Sequence, residues 1–179
     1  MIDDLDVLGL INFDNGSELE LYINCFNESL RMQPPVYISS SCTMSEDVWC
    51  GPIMLRKDDA FSISIYHLHN NPEEWFEPER FIPERFDTDS PYYLTPAGIK
   101  RNPFSFSPFL GGTRICIGKT FIEAVSKLTT PVLLANFDFD FEEGVDPQKF
   151  EYPHNNLSAM KQPDVKVRIT DRKPVYTVA

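Results

Sequence analysis

The feature that most restricts this chain is the stretch from Asn71 to Ser107, which follows neither the period of a helix nor that of a strand. Pro72, Pro78, Pro83, Pro91, Pro96 and Pro103 recur too often for a helix or a central strand to run through it. Between them fall Trp75, Phe76, Phe81, Phe86, Tyr92, Tyr93, Phe104 and Phe106. Disordered segments are poor in aromatic residues, and a long aperiodic loop in a compact domain tends to be functional. The stretch is therefore expected to be packed but irregular, with its path set by contacts to the rest of the chain.

Regular elements are expected on both sides of it. Ser17 and Glu20 form a capping box, and Leu19, Ile23, Phe26 and Leu30 follow at helical spacing, which predicts a helix from about Ser17 to Met32 that stops at Pro34-Pro35. Val36-Tyr37-Ile38, Ile53-Met54-Leu55 and the alternating Phe61, Ile63 and Ile65 predict short strands of one small antiparallel sheet. Beyond the aperiodic stretch, a second helix is expected to start near Cys116 to Gly118, with Phe121, Val125 and Leu128 on one face. It should end or kink near Pro131. Alternation at Phe137, Phe139 and Phe141, and at Val165, Val167 and Ile169, predicts two further strands.

Sixteen basic against 27 acidic residues give a net charge of −11, spread along the 179 residues. This excludes the basic footprint that nucleic acid requires and disfavours an anionic membrane surface. No apolar run reaches the ~18 residues of a membrane span, and the start Met1-Ile2-Asp3-Asp4 has neither the charge nor the apolar stretch of a signal peptide. Cys25, Cys42, Cys50 and Cys116 form no C-x-x-C pair, so a zinc site is not expected, while a Cys42–Cys50 disulfide stays open on sequence alone. The Asn15, Asn27 and Asn156 N-x-S matches carry little weight without a secretion signal.

The segment from Phe109 to Gly118 has the character of a thiolate site. Cys116 falls at the start of the expected second helix, where backbone N–H groups and the helix dipole favour negative charge. Gly112 and Gly118 leave room for a flat ligand. Arg114 offers a carboxylate a fork of charge-assisted hydrogen bonds, and Phe109 can shield the sulfur from water. The bland alternative is a buried cysteine in a glycine-rich turn ahead of a core helix.

This segment resembles the haem signature of the cytochrome P-450 family, F-x-x-G-x-R-x-C-x-G, with all five specified positions matched by Phe109, Gly112, Arg114, Cys116 and Gly118. Glu28-Ser29-Leu30-Arg31 is similar to the family's E-x-x-R, and Phe81-Ile82-Pro83-Glu84-Arg85-Phe86 to its F-x-P-x-R-F. The resemblance implies an α+β chain from the C-terminal part of a mainly helical fold, with two main helices, small antiparallel sheets, a long meander and a cysteine loop. It implies that Glu28, Arg31 and Arg85 form one buried charge network; Phe76-Glu77-Pro78-Glu79-Arg80-Phe81 competes for the last role, with Arg85 preferred. It further implies that Cys116 is the metal ligand of haem b (iron protoporphyrin IX) held as a thiolate. Phe109, Gly112, Arg114 and Gly118 would line the cofactor.

The chain departs from that family in places. The A/G-G-x-D/E-T helix beside the oxygen-binding face is not found, so residues 1–179 are expected to be the C-terminal haem-binding portion of a single domain, lacking the anchor and the oxygen-binding helix. Catalysis by the 179 residues alone is accordingly not expected. Ser39 to Thr43 stand where many relatives carry a propionate-binding arginine, and Ile122 replaces a usual alanine. His67 and His69, in a strand-like stretch, and His154 are read as structural or exposed.

The implied function is a haem-thiolate monooxygenase inserting one oxygen atom of O2 into a small apolar organic substrate, with electrons from an NADPH-dependent reductase and no nucleic acid as partner. A complete eukaryotic relative would sit on the endoplasmic reticulum membrane, facing the cytosol. The alternatives are a non-catalytic haem-binding fragment or degenerate copy, and a peroxide-using haem-thiolate enzyme.

Overall fold

A computed structural model describes residues 19–142 and 166–172. The chain divides into a larger unit, Asn24–Ile115, and a smaller one that takes in the described residues 19–23, 116–142 and 166–172.

Helix α1 spans Glu20–Met32 and stops just before the Pro34-Pro35 pair, neither residue of which can donate a helical hydrogen bond. Ser17, the expected cap, lies outside the described residues. The face that α1 buries most deeply is polar: Asn24, Glu28 and Arg31 recur every three to four residues and are its buried side chains. The apolar stripe that marked the helix in the sequence, Leu19, Ile23, Phe26 and Leu30, is only half-buried.

The single small sheet expected next is instead two separate antiparallel ribbons. Strands β1 (Cys42–Thr43) and β4 (Ala60–Phe61) pair, and between them β2 (Val48–Cys50) and β3 (Ile53–Leu55) form a hairpin closed by Gly51-Pro52, with Gly51 at φ +57°. Cys42 and Cys50 therefore sit in different ribbons, and all four cysteines are free thiols. Ile38 makes one isolated bridge to Ser64. The Phe61–Ile65 alternation does not continue as a strand, because Ser64 caps a short helix α2 (Ile65–His69), its side chain accepting the His67 N–H. His67 and His69 thus lie on a helix rather than in a strand.

From Asn70 to Leu110 the chain has short 3-10 turns but no α-helix or paired strand, apart from one bridge between Leu94 and Lys100. Prolines open three of the turns, at Pro83–Phe86, Pro91–Tyr93 and Pro103–Ser105, at the helical position that needs no N–H. This meander wraps the core of the larger unit. Trp75 is fully buried, with the rings of Phe86 and Phe106 at 6.0 and 6.3 Å and these two rings 4.9 Å apart. Tyr37, Ile65 and Ile82 complete the buried apolar set among the described residues.

In the smaller unit, helix α3 spans Lys119–Asn136 and continues through Pro131, where an end or kink was expected. One proline removes a single bond from an 18-residue helix, and local bonds on both sides hold the turns: the Thr129 hydroxyl donates to the Val125 carbonyl at 2.9 Å, and the Asn136 amide to the Val132 carbonyl at 2.8 Å. The chain then passes into β5 (Phe137–Phe141), which pairs antiparallel with β6 (Val167–Asp171) over five residues. No helix among the described residues is long and apolar enough to cross a membrane.

Candidate functional site: a buried charge network and an exposed cysteine loop

The larger unit brings Glu28, Arg31 and Arg85 together with no solvent exposure of any side chain. Three residues apart on α1, Arg31 and Glu28 form a two-pronged ion pair at 2.8 and 2.9 Å. Arg85 reaches the same carboxylate from the Pro83–Phe86 turn, its Nε 3.1 Å from Glu28 Oε1, and the Ile82 backbone N–H donates to that oxygen at 2.9 Å. The following proline keeps Ile82 out of the helical region, at φ −132° and ψ 87°, and its N–H points at the helix.

The remaining guanidinium donors go to main-chain carbonyls. Arg31 donates to His69, Pro78 and Arg80, and Arg85 to Phe76, Glu77 and Arg80. Burial pulls the Arg85 proton affinity down, and the Glu28 charge counteracts it. The competing Arg80 is exposed and paired with Glu77; what it lends the network is its carbonyl oxygen. Arg80→Ala keeps that oxygen, so the unfolding free energy measured in urea should stay within about 0.5 kcal/mol of wild type. A loss matching that of Arg85→Ala would instead give Arg80 the structural role.

Two further residues extend this network. Arg101 lies 4.0 Å above the Trp75 ring and donates to the carbonyls of Glu74, Arg85 and Tyr92, while Arg31 stands 5.2 Å from the same ring. His69 is fully buried, sharing hydrogen bonds with Arg31 and Ser107. His69 was read only as structural or exposed, and no local pattern marked Arg101.

The cysteine loop begins in the larger unit and ends in the smaller. In the larger, Leu110 at φ +60° and Gly112 at φ +65° turn the backbone, and a side chain at Gly112 would meet nothing within 4 Å. Gly112–Arg114 make one 3-10 turn, Arg114 is exposed and Phe109 half-buried. In the smaller unit, Cys116 is exposed, two residues before the Gly118 cap of α3, and its carbonyl accepts the Lys119 N–H at 3.2 Å. A Cβ on Gly118 would lie 3.7 Å from the Cys116 sulfur. Ile117 is fully exposed and Phe121 is 71% exposed, so the thiol stands among uncovered apolar side chains. No cluster of three or more His, Cys, Asp or Glu able to hold a metal occurs among the described residues.

Residues 8–169 match the model of the cytochrome P450 family, and the chain belongs to that family. Cytochrome P450 4F6 of Rattus norvegicus is 35% identical over 127 residues, which is 71% of this chain and 22% of that protein. Leukotriene-B4 omega-hydroxylase 3 of Mus musculus is 34% identical over 128 residues, 71% of this chain and 23% of that protein. The chain thus spans less than a quarter of the length of these relatives. A retinoic acid-bound cyanobacterial CYP120A1 structure superposes with a TM-score of 0.72, covering 90% of this chain and 35% of the other at 23% identity. It shares the fold.

Proposed function

We propose that this chain is the haem-binding part of a haem-thiolate monooxygenase, with Cys116 as the iron ligand. The observation that carries the reading is an exposed thiol inside a fully matched five-position loop, followed by the exposed apolar side chains Ile117 and Phe121. The residues suit such a group: one soft sulfur donor, a left-handed Gly112 with open space before it, and an exposed guanidinium at Arg114 for a propionate. Bound haem would supply activation of O2, aided by electron donation from the thiolate. Cys116 would hold the iron, Arg114 would orient the macrocycle, and Phe109 would keep water from the sulfur. Glu28, Arg31 and Arg85 act at a distance by fixing the meander from which the loop emerges.

The kinship with a mouse leukotriene-B4 omega-hydroxylase suggests a long-chain carboxylic acid as substrate, and an NADPH-dependent reductase as electron donor. The family resemblance supports an endoplasmic reticulum membrane location, facing the cytosol, for a complete relative. A C-terminal tag at the gene's own locus would purify the native product as it occurs. Supplied with haem, reductase, NADPH and 18O2, it should place one labelled atom in leukotriene B4 or a fatty acid. Turnover with peroxide alone would point to a peroxide-using enzyme, and a thiolate spectrum without any product to a non-catalytic haem-binding protein.

A further inference from the structure

We propose that His69 is a positioning residue for the cysteine loop: its neutral imidazole ties the C-terminal end of α1 to the backbone of Ser107, where the chain turns toward Cys116. The proposal rests on the haem-thiolate reading above and adds to it the group that anchors the loop's approach.

The hydrogen bonds fix the tautomer. Nδ1 lies 3.2 Å from the Arg31 carbonyl, which can only accept, so Nδ1 carries the proton. Nε2 accepts the Ser107 N–H at 2.9 Å, so it must be bare. Ser107 is itself a hub, because its carbonyl accepts the Leu110 N–H at 3.0 Å and its hydroxyl donates to the Phe104 carbonyl at 2.9 Å. Phe106 stacks on the imidazole with ring centroids 5.2 Å apart. A single side chain thereby joins the charged helix face, the aromatic core and the turn that leads into Gly111-Gly112.

Protonating Nε2 would set an N–H against the Ser107 N–H and break this link. The fold resists that: burial pulls the imidazole from 6.5 to about 4, the Arg31 and Leu30 carbonyls oppose the shift, and the Arg31 charge adds to it. The charged groups near it are Arg31, with Glu28 and Arg85 bound to one another beside it, and Arg101 over Trp75; on its own helix His67 is exposed and bonded to Ser64. A base with a depressed proton affinity stabilises the fold above its ordinary value, and that contribution is lost as pH falls from 6.5 toward about 4.

The test follows amide exchange at Ser107 in the whole chain without haem, and the carbon monoxide spectrum of the same chain with haem. His69→Leu should speed Ser107 exchange on the order of tenfold, whereas His69→Gln, whose Oε1 can accept the same N–H, should recover much of the protection. Wild type should lose that protection between about pH 6.5 and pH 4 after correction for the intrinsic rate, and His69→Gln should not. With haem, the thiolate-type Soret band should weaken in His69→Leu and return in His69→Gln. Unchanged Ser107 exchange in His69→Leu, or equal pH profiles for wild type and His69→Gln, would overturn the proposal; the second comparison serves even where the leucine variant fails to fold. An anchored Ser107 in a wild-type chain with no thiolate band would instead defeat the haem-thiolate reading, and the positioning role with it.

Discussion

Glu28→Ala is expected to destabilise the larger unit by about 3–5 kcal/mol, a large share of the roughly 5–15 kcal/mol that holds a typical domain folded. Among the described residues this carboxylate is the one that pairs with both Arg31 and Arg85, and all three side chains are sealed from water. Removing it strands two buried guanidiniums and the Ile82 N–H, which had also pointed at it. Two like charges then face each other with carbonyl dipoles alone to compensate. Glu28→Gln keeps an acceptor oxygen but loses the charge, and should fall between the alanine variant and wild type. Urea unfolding followed by circular dichroism measures both. An alanine variant within about 1 kcal/mol of wild type would show that the network adds little.

Cys116→Ser is expected to abolish the red-shifted thiolate-type Soret band of the reduced, carbon monoxide-treated haem complex while leaving the fold intact. Cys116 is exposed, so its sulfur can be exchanged for oxygen at little structural cost. A hydroxyl is a far weaker electron donor to iron than a thiolate. Circular dichroism should overlay that of wild type. A thiolate-type band that survives the substitution would move the ligand to Cys25, Cys42 or Cys50.

Much of the site was legible because its parts are short motifs with fixed local spacing. The i, i+3 relation of Glu28 and Arg31 is a property of any helix, and the Pro83–Phe86 turn follows from one proline. Hydrophobic period was a less faithful guide. It located α1 through Leu19, Ile23, Phe26 and Leu30, yet the buried face is Asn24, Glu28 and Arg31, because hydrogen bonds to the meander satisfy polar groups that a pattern of apolar residues does not register. At Phe61 to Ile65 the alternation pointed to a strand, and the Ser64 cap, a single side-chain contact, turned the chain into a helix from Ile65. Periodicity also could not foresee that Pro131 would be carried inside α3, since neighbouring hydrogen bonds decide that. Arg101 and His69 were obscure for a different reason: their partners lie up to 38 residues away, and no local pattern encodes such a meeting.

The carbonyls that surround the two guanidiniums bear on how the meander acquires its shape. Arg31 contacts residues 38, 47 and 49 positions downstream, and Glu28 is reached from 54 and 57 positions away. Contacts of that span require a long loop to close before any one of them is rewarded, so little of the segment can order piecemeal. Its peptide groups serve as solvent for cations that have left water. The meander is in this sense a mould cast around α1, and it should appear late in folding and all at once, when the helix supplies the charges that give its carbonyls somewhere to point.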